Sequence, residues 1–211
     1  MVINRVVDEI LRSWSRVAVL RALLDARTGC TGNEVARRAG MSPLAALKAL
    51  SSLELLGIVY RQRGGRDHIF TLNRSHFMVA RGLAPLYEAE LAMPGALRGM
   101  LAKLLQRRVE SGFIFGSVAR KEETAESDLD LCCIVQTESG GELVRQVLER
   151  NCHMLRERFG VKLAPFIITS IEFRKRARSP LMVGMMRENI LVAGRPPRMF
   201  LHAQASKQKG S

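Results

Sequence analysis

Apolar residues recur at helical spacing from Asn4 to about Ala26, at Val6, Val7, Ile10, Leu11, Trp14, Val17, Leu20, Leu23 and Leu24, and predict a first amphipathic helix. A shorter second helix follows in GNEVARRAG. Thr31 stands before it with Glu34 three positions on, the capping-box pattern, and Gly40 supplies the stop. The third helix is PLAALKALSSLELLG, with Ser42 as its cap, Pro43 at its first position and Gly57 at its end. Ile58, Val59 and Tyr60 then lead into RQRGGRDHIFTLN, where two short strands flank Gly64 and Gly65 and read as a hairpin.

Beyond the hairpin, residues 76–111 carry two further helical patterns, with Pro94 and Gly95 predicting a break between them. The second, ALRGMLAKLLQRRVES, runs into an apolar strand at Phe113. A strand at LDLCCIV, a helix at GELVRQVLERNCHMLRERF and a strand at VKLAPFIIT follow, then a helix at SPLMVGMMREN and a short extended ILVAG. Strand, helix, strand suits a mixed sheet with helices packed on it. The expected domains are 1–75, a linker helix at 76–93, a second domain at 94–198 and a disordered polar tail at 199–211.

The candidate chemistry sits in GFIFGSVARKEETAESDLDLCCIV, residues 112–135. Asp128 and Asp130 are two positions apart, so on an extended strand both point to one face while Leu129 and Leu131 point to the other. Such a face can hold a cation. Gly116 lacks a side chain and tolerates positive φ, so the backbone can approach a ligand closely, with the Ser117 hydroxyl and nearby N–H groups as a phosphate cradle. A helix opening at VARKEE would add free N–H groups for the same anion. An ordinary Gly-Ser turn beside solubilising aspartates is the plainer alternative.

With its Gly-Ser turn, spacer and Asp-x-Asp, the segment resembles the nucleotidyltransferase superfamily related to DNA polymerase beta, especially its minimal stand-alone members. Ala119, Arg120 and Ser127 fit the same pattern. The resemblance implies that Gly116, Ser117 and Arg120 bind a nucleoside triphosphate. It also implies that Asp128 and Asp130 hold magnesium as metal ligands and catalytic residues, supporting in-line attack on the α phosphorus. Active members carry another acid on a later strand. The corresponding VKLAPFIIT has no Asp or Glu, and Lys162 or Ala164 stands about where the acid is expected. A positioned general base contributes on the order of 10²- to 10⁴-fold, so transfer is in question, whereas nucleotide binding could survive the loss.

Helix, helix, helix, hairpin over residues 1–75 resembles winged helix-turn-helix transcription regulators. The fold class is therefore α+β: an N-terminal winged helix-turn-helix and a C-terminal nucleotidyltransferase-like mixed sheet with helices. The resemblance implies a third helix in the major groove and a hairpin wing on the adjacent backbone, with Ser42, Lys48, Arg61, Arg63 and Arg66 as DNA contacts. Leu44, Ala45 and Leu47 on the third helix offer little base reading, and phosphate contacts position a protein without specifying sequence. A winged helix used for protein contact or dimerisation is the alternative. Such regulators are often symmetric dimers, which makes a homodimer the expectation.

Composition bears on partners. The formal charge of +13 suits a salt-sensitive nucleic-acid interaction. Of 33 basic and 20 acidic residues, 13 and 8 lie in residues 1–95, so the C-terminal half is basic as well. Cys30, Cys132, Cys133 and Cys152 have no metal-ligand spacing, and the four histidines form no zinc motif. No signal peptide opens the chain and charges interrupt its apolar stretches, which predicts no membrane contact and a cytoplasmic location. Three readings stay open: a magnesium-dependent enzyme transferring a nucleoside monophosphate to a hydroxyl, a DNA-binding regulator with a degenerate transferase domain, and an antitoxin-like module with a protein partner.

Overall fold

The computed structural model describes residues 3–65 and 67–200, and divides the chain into two compact units, Met1–Ala92 and Met93–Ser211. Arg66 and the expected tail from residue 201 lie outside the described residues.

In the first unit, the single helix expected over Asn4–Ala26 is two helices, α1 (Val6–Ile10) and α2 (Trp14–Asp25). Ser13 makes the difference. Its extended backbone interrupts the helix, and its hydroxyl accepts the Arg16 N–H as the cap of α2. Leu11 and Trp14 consequently stay exposed, while Ile10, Leu20 and Leu23 are buried. Next come β1 (Cys30–Thr31), α3 (Gly32–Arg38) and α4 (Pro43–Leu55), the last two capped by Thr31 and Ser42 as their sequences dictate. Ala46, Ala49, Leu50 and Leu53 form the buried stripe of α4.

The hairpin β2 (Val59–Gly64) and β3 (Asp67–Leu72) pairs in antiparallel register from Val59 with Leu72 to Gly64 with Asp67. Strand β1 joins its other edge, giving the order β1-β3-β2. A Cβ on Gly29 would lie 2.3 Å from Ile69 Cγ2, so a glycine is needed just before β1 for the two strands to approach.

A π-helical turn (Val79–Leu83) leads into α5 (Ala84–Leu105), which runs through Pro94 where a break was expected. Proline removes one helical hydrogen bond, to the carbonyl four residues back. Residues 88–96 are all exposed, so water can take that carbonyl. Leu97, Leu101 and Leu105 then anchor the C-terminal half of α5 in the second core.

The second unit is a four-stranded sheet in the order β6-β5-β4-β7: β4 (Ser111–Ile114), β5 (Leu129–Val135), β6 (Leu163–Thr169) and β7 (Ile190–Gly194). β5 and β6 are parallel, joined by α7 (Glu138–Phe159), and the other pairs are antiparallel. Alternation along β5 splits the core in two. Leu129, Leu131, Cys133 and Val135 pack with Leu101 and Leu105 of α5 and Val144 and Leu148 of α7. Cys132 and Ile134 face Phe173 of α8 (Ser170–Lys175) and Met182 and Met185 of α9 (Pro180–Arg187). The tail expected from residue 199 starts too early: Met199 and Phe200 complete a 3-10 turn (Pro197–Phe200), with the Phe200 ring 6.3 Å from that of Phe173.

Burial pushes the Cys133 thiol up to about 12 and Cys132 higher still, so neither forms the reactive thiolate near neutral pH. Cys30 is buried too, and Cys152 is exposed. Titration with a thiol reagent at pH 8 should therefore modify one cysteine rapidly in the native protein and four after unfolding. Rapid native modification of Cys132 or Cys133, located by peptide mapping, would contradict this packing. Among the described residues no helix is long and apolar enough to cross a membrane.

Candidate functional site

Strand pairing gathers the motif at one end of the second sheet. Ile114 pairs with Leu131 and with Ile190, so the exit of β4 meets the entries of β5 and β7. The parallel pairing of Leu129 with Leu163 brings the entry of β6 to the same end. The Phe115 N–H donates to the Asp130 carbonyl at 3.1 Å, extending this ladder up to the turn.

At that turn Gly116 has φ of +74°, and an ideal Cβ there would lie 2.1 Å from Asp130 Oδ2. The Asp130 carboxylate therefore occupies the space a side chain would fill. This is the juxtaposition of Gly-Ser turn and carboxylate that the sequence predicts. The helix beyond begins earlier and is shorter than VARKEE suggests: α6 (Gly116–Arg120) ends at Lys121 in the left-handed conformation. With little more than one turn, α6 carries too few aligned peptides for an appreciable dipole. The polar groups that the turn presents are individual N–H groups, the half-buried Ser117 and the exposed Arg120.

Arg120 is exposed and donates to Glu122 Oε2 at 2.7 Å. That hydrogen bond, with the fields of Glu122, Glu188 and Asp130, raises the guanidinium further above its ordinary range and keeps it charged. A cleft of about 390 Å³ adjoins it, lined by Phe115, Gly116, Arg120, Leu181, Gly184 and Glu188 among others. Its size lies within the usual range of small-molecule sites.

Asp128 precedes β5, and Asp130 is its second residue. Both are half-buried, while Leu129 between them is buried. Asp128 is held by a partner that residue spacing alone does not reveal. Lys162 Nζ lies 3.1 Å from its Oδ1 and 3.3 Å from its Oδ2. The pair follows from the backbone, because the Leu129 N–H donates to the Lys162 carbonyl at 2.7 Å. Ala164 lies opposite Asp130. The positions at the entry of β6 nearest the two aspartates, Lys162 just before the strand and Ala164 on it, thus hold an ammonium and a methyl group, and no group of three or more His, Cys, Asp or Glu side chains able to hold a metal occurs among the described residues. Asp130 against the cradle at Gly116 and Asp128 two positions before it offer two carboxylates to a divalent cation, fewer than the three that the resemblance implies for a two-metal centre. Ser127 orders the approach to the site, its hydroxyl accepting the Thr124 N–H at 2.9 Å.

In the first unit, α3 and α4 form the helix pair and β2 and β3 the wing. Lys48 is exposed on α4 and Ser42 at its N-cap, with the Ser42 hydroxyl also accepting the Ala45 N–H at 3.3 Å. Arg61 and Arg63 are exposed on β2, and Arg61 Nε reaches Glu54 Oε1 of α4 at 3.3 Å. Leu44, Leu47 and Leu55 are also exposed on α4, leaving an unusually apolar outer face.

Three helices with a two-stranded wing define a winged helix-turn-helix, and the Gly-Ser turn and Asp-x-Asp at the end of a mixed sheet define a nucleotidyltransferase-type unit. Residues 97–181 match the family model of the nucleotidyltransferase domain. Nucleotidyltransferase domains generally use a divalent metal. No curated protein matches.

Among solved structures, the chain is similar to a probable transcriptional regulator from Pseudomonas aeruginosa at 21% identity and a TM-score of 0.31, over 46% of this chain and 83% of that one. Human N-acetylserotonin methyltransferase matches at 12% identity and 0.32, over 72% and 44% of the two chains. TrmBL2, an archaeal chromatin protein, matches at 13% identity and 0.28, over 86% and 72%. At these TM-scores the likenesses carry no functional weight.

Proposed function

We propose that this chain is a DNA-binding regulator whose nucleotidyltransferase domain binds a magnesium nucleoside triphosphate and has lost efficient transfer. The observation that carries this reading is Lys162, paired with Asp128 just before the strand where an active domain needs its third acid. Gly116 and Ser117 hold the phosphates through backbone N–H groups and the hydroxyl, and Arg120 pairs with a phosphate oxygen. Its exposed pairing with Glu122 is weak enough to exchange. Asp130 and Asp128 hold the magnesium, which when bound neutralises phosphate charge and fixes the chain's orientation. The adjoining cleft receives the nucleoside.

Neither carboxylate is left to deprotonate an attacking hydroxyl, because Asp128 faces an ammonium and Asp130 faces the turn. In equilibrium titrations with magnesium, Asp130→Ala should weaken ATP binding by at least about tenfold, the lower bound for loss of even an outer-shell partner of a metal ligand. Equal affinity in the two proteins would remove the site. Incubation with labelled ATP, magnesium and cell lysate should transfer no more label with wild type than with Asp130→Ala. Transfer that depends on Asp130 would favour the enzyme reading.

A further inference from the structure

Lys162 invites a more specific conclusion, which rests on the nucleotide reading above. In a two-metal phosphoryl-transfer centre the cations clamp the attacking and leaving oxygens. Three carboxylates and two divalent ions leave such a centre with one net positive charge. Here Asp128, Asp130 and the Lys162 ammonium leave one net negative charge, and a single divalent ion restores one positive charge. We propose that Lys162 takes over the charge of one cation, so that the site loads a single divalent ion together with a nucleoside triphosphate.

Three observations support this. The ammonium contacts both oxygens of Asp128, at 3.1 and 3.3 Å, and so already places one positive charge at that carboxylate. No cluster of three or more His, Cys, Asp or Glu side chains, such as a pair of ions would need, occurs among the described residues. The root of Lys162 is fixed beside Asp128 by the ladder hydrogen bond from the Leu129 N–H to the Lys162 carbonyl. Meanwhile the side chain is 73% exposed and free to turn from the carboxylate to a phosphate oxygen. Such an exposed pair is weak, so the swing costs little.

A flexible ammonium is a compact point charge, whereas a magnesium ion binds oxygen at about 2.1 Å and imposes octahedral order. Lysine can therefore hold a triphosphate without activating an attacking hydroxyl. Binding and chemistry separate at this residue.

The test is a Mn²⁺ titration of the full chain followed by electron paramagnetic resonance, with and without a non-hydrolysable ATP analogue. Wild type should load one Mn²⁺ per chain with the analogue, and loading of two would overturn the proposal. Lys162→Met should weaken the analogue about tenfold at saturating Mn²⁺, and tighten Mn²⁺ about tenfold without nucleotide, the scale of one screened charge at contact distance. If neither value moves, Lys162 is a bystander and the proposal falls. If wild type binds no analogue at any Mn²⁺ concentration, the nucleotide reading fails separately. The nucleotide-free Mn²⁺ comparison then decides the lysine: tightening supports it as a competing cation, and no change overturns it. Circular dichroism should match between the proteins because the side chain is exposed.

Discussion

Gly116→Ala should abolish nucleotide binding and lower the melting temperature of the second unit. The residue has φ of +74°, and a Cβ would lie 2.1 Å from Oδ2, 3.1 Å from Cγ and 3.4 Å from Cβ of Asp130. The left-handed backbone alone costs a non-glycine residue about 1–2 kcal/mol. The carboxylate must also leave, and Asp130 has little freedom, because its strand lies between β4 and β6 and its carbonyl accepts the Phe115 N–H. An off-rotamer side chain adds about 0.5–1.5 kcal/mol. A total near 2–3 kcal/mol corresponds to a drop on the order of 10 °C in a unit of 119 residues.

Ser117→Ala is the control. It removes a hydroxyl and adds no atoms, so it should change stability by no more than about 0.5 kcal/mol while still weakening the nucleotide. Scanning calorimetry and nucleotide titration on both variants separate the two effects. Wild-type binding by Gly116→Ala would mean that Asp130 does not need the space at the turn.

Local rules made much of this architecture legible. Ser42 and Pro43 start α4 where capping chemistry places its start, and the hairpin falls at Gly64 and Gly65. Alternation along LDLCCIV assigned Asp130 and the leucines to opposite faces, and the two cores divide along that alternation. What escaped depends on contacts distant in sequence or on competition between local signals. The apolar period through Leu11 and Trp14 suggested one continuous helix, but the Ser13 cap wins and both residues remain exposed. At Pro94 and Gly95 the local signal favoured a break, and the packing of Leu97, Leu101 and Leu105 instead sustains the helix.

The missing third acid was visible as the absence of Asp and Glu from VKLAPFIIT, with Lys162 among the residues named for its position. The ion pair to Asp128 required the parallel register of β5 and β6, which sequence spacing does not fix. Glu188 reaches the neighbourhood of Arg120 for the same kind of reason. Its place, two residues before β7, is set by the pairing of Ile190 with Ile114, far apart in the chain.

DNA binding by the first unit should fall about 10²-fold between 50 and 200 mM salt if Lys48, Arg61, Arg63 and Arg66 each neutralise a phosphate, since each contact contributes a slope of about −0.9. Replacing Arg61 and Arg63 together with glutamine should reduce the magnitude of that slope by about 2 and weaken all sequences alike, because phosphate contacts carry no sequence information. Arg61 must first leave Glu54, at a cost of about 0–1 kcal/mol for an exposed pair, so Glu54→Gln should strengthen binding modestly.

The outer face of α4 sets the expected specificity. Leu44, Leu47 and Leu55 are exposed there, and leucine offers no hydrogen bond to a base edge. Discrimination between unrelated duplexes should therefore be shallow, resting on Lys48 and on DNA shape. Fluorescence anisotropy with several duplexes over a salt series measures slope and discrimination together. A flat salt response, or no binding at 50 mM salt, would instead assign the exposed leucines of α4 to a protein partner.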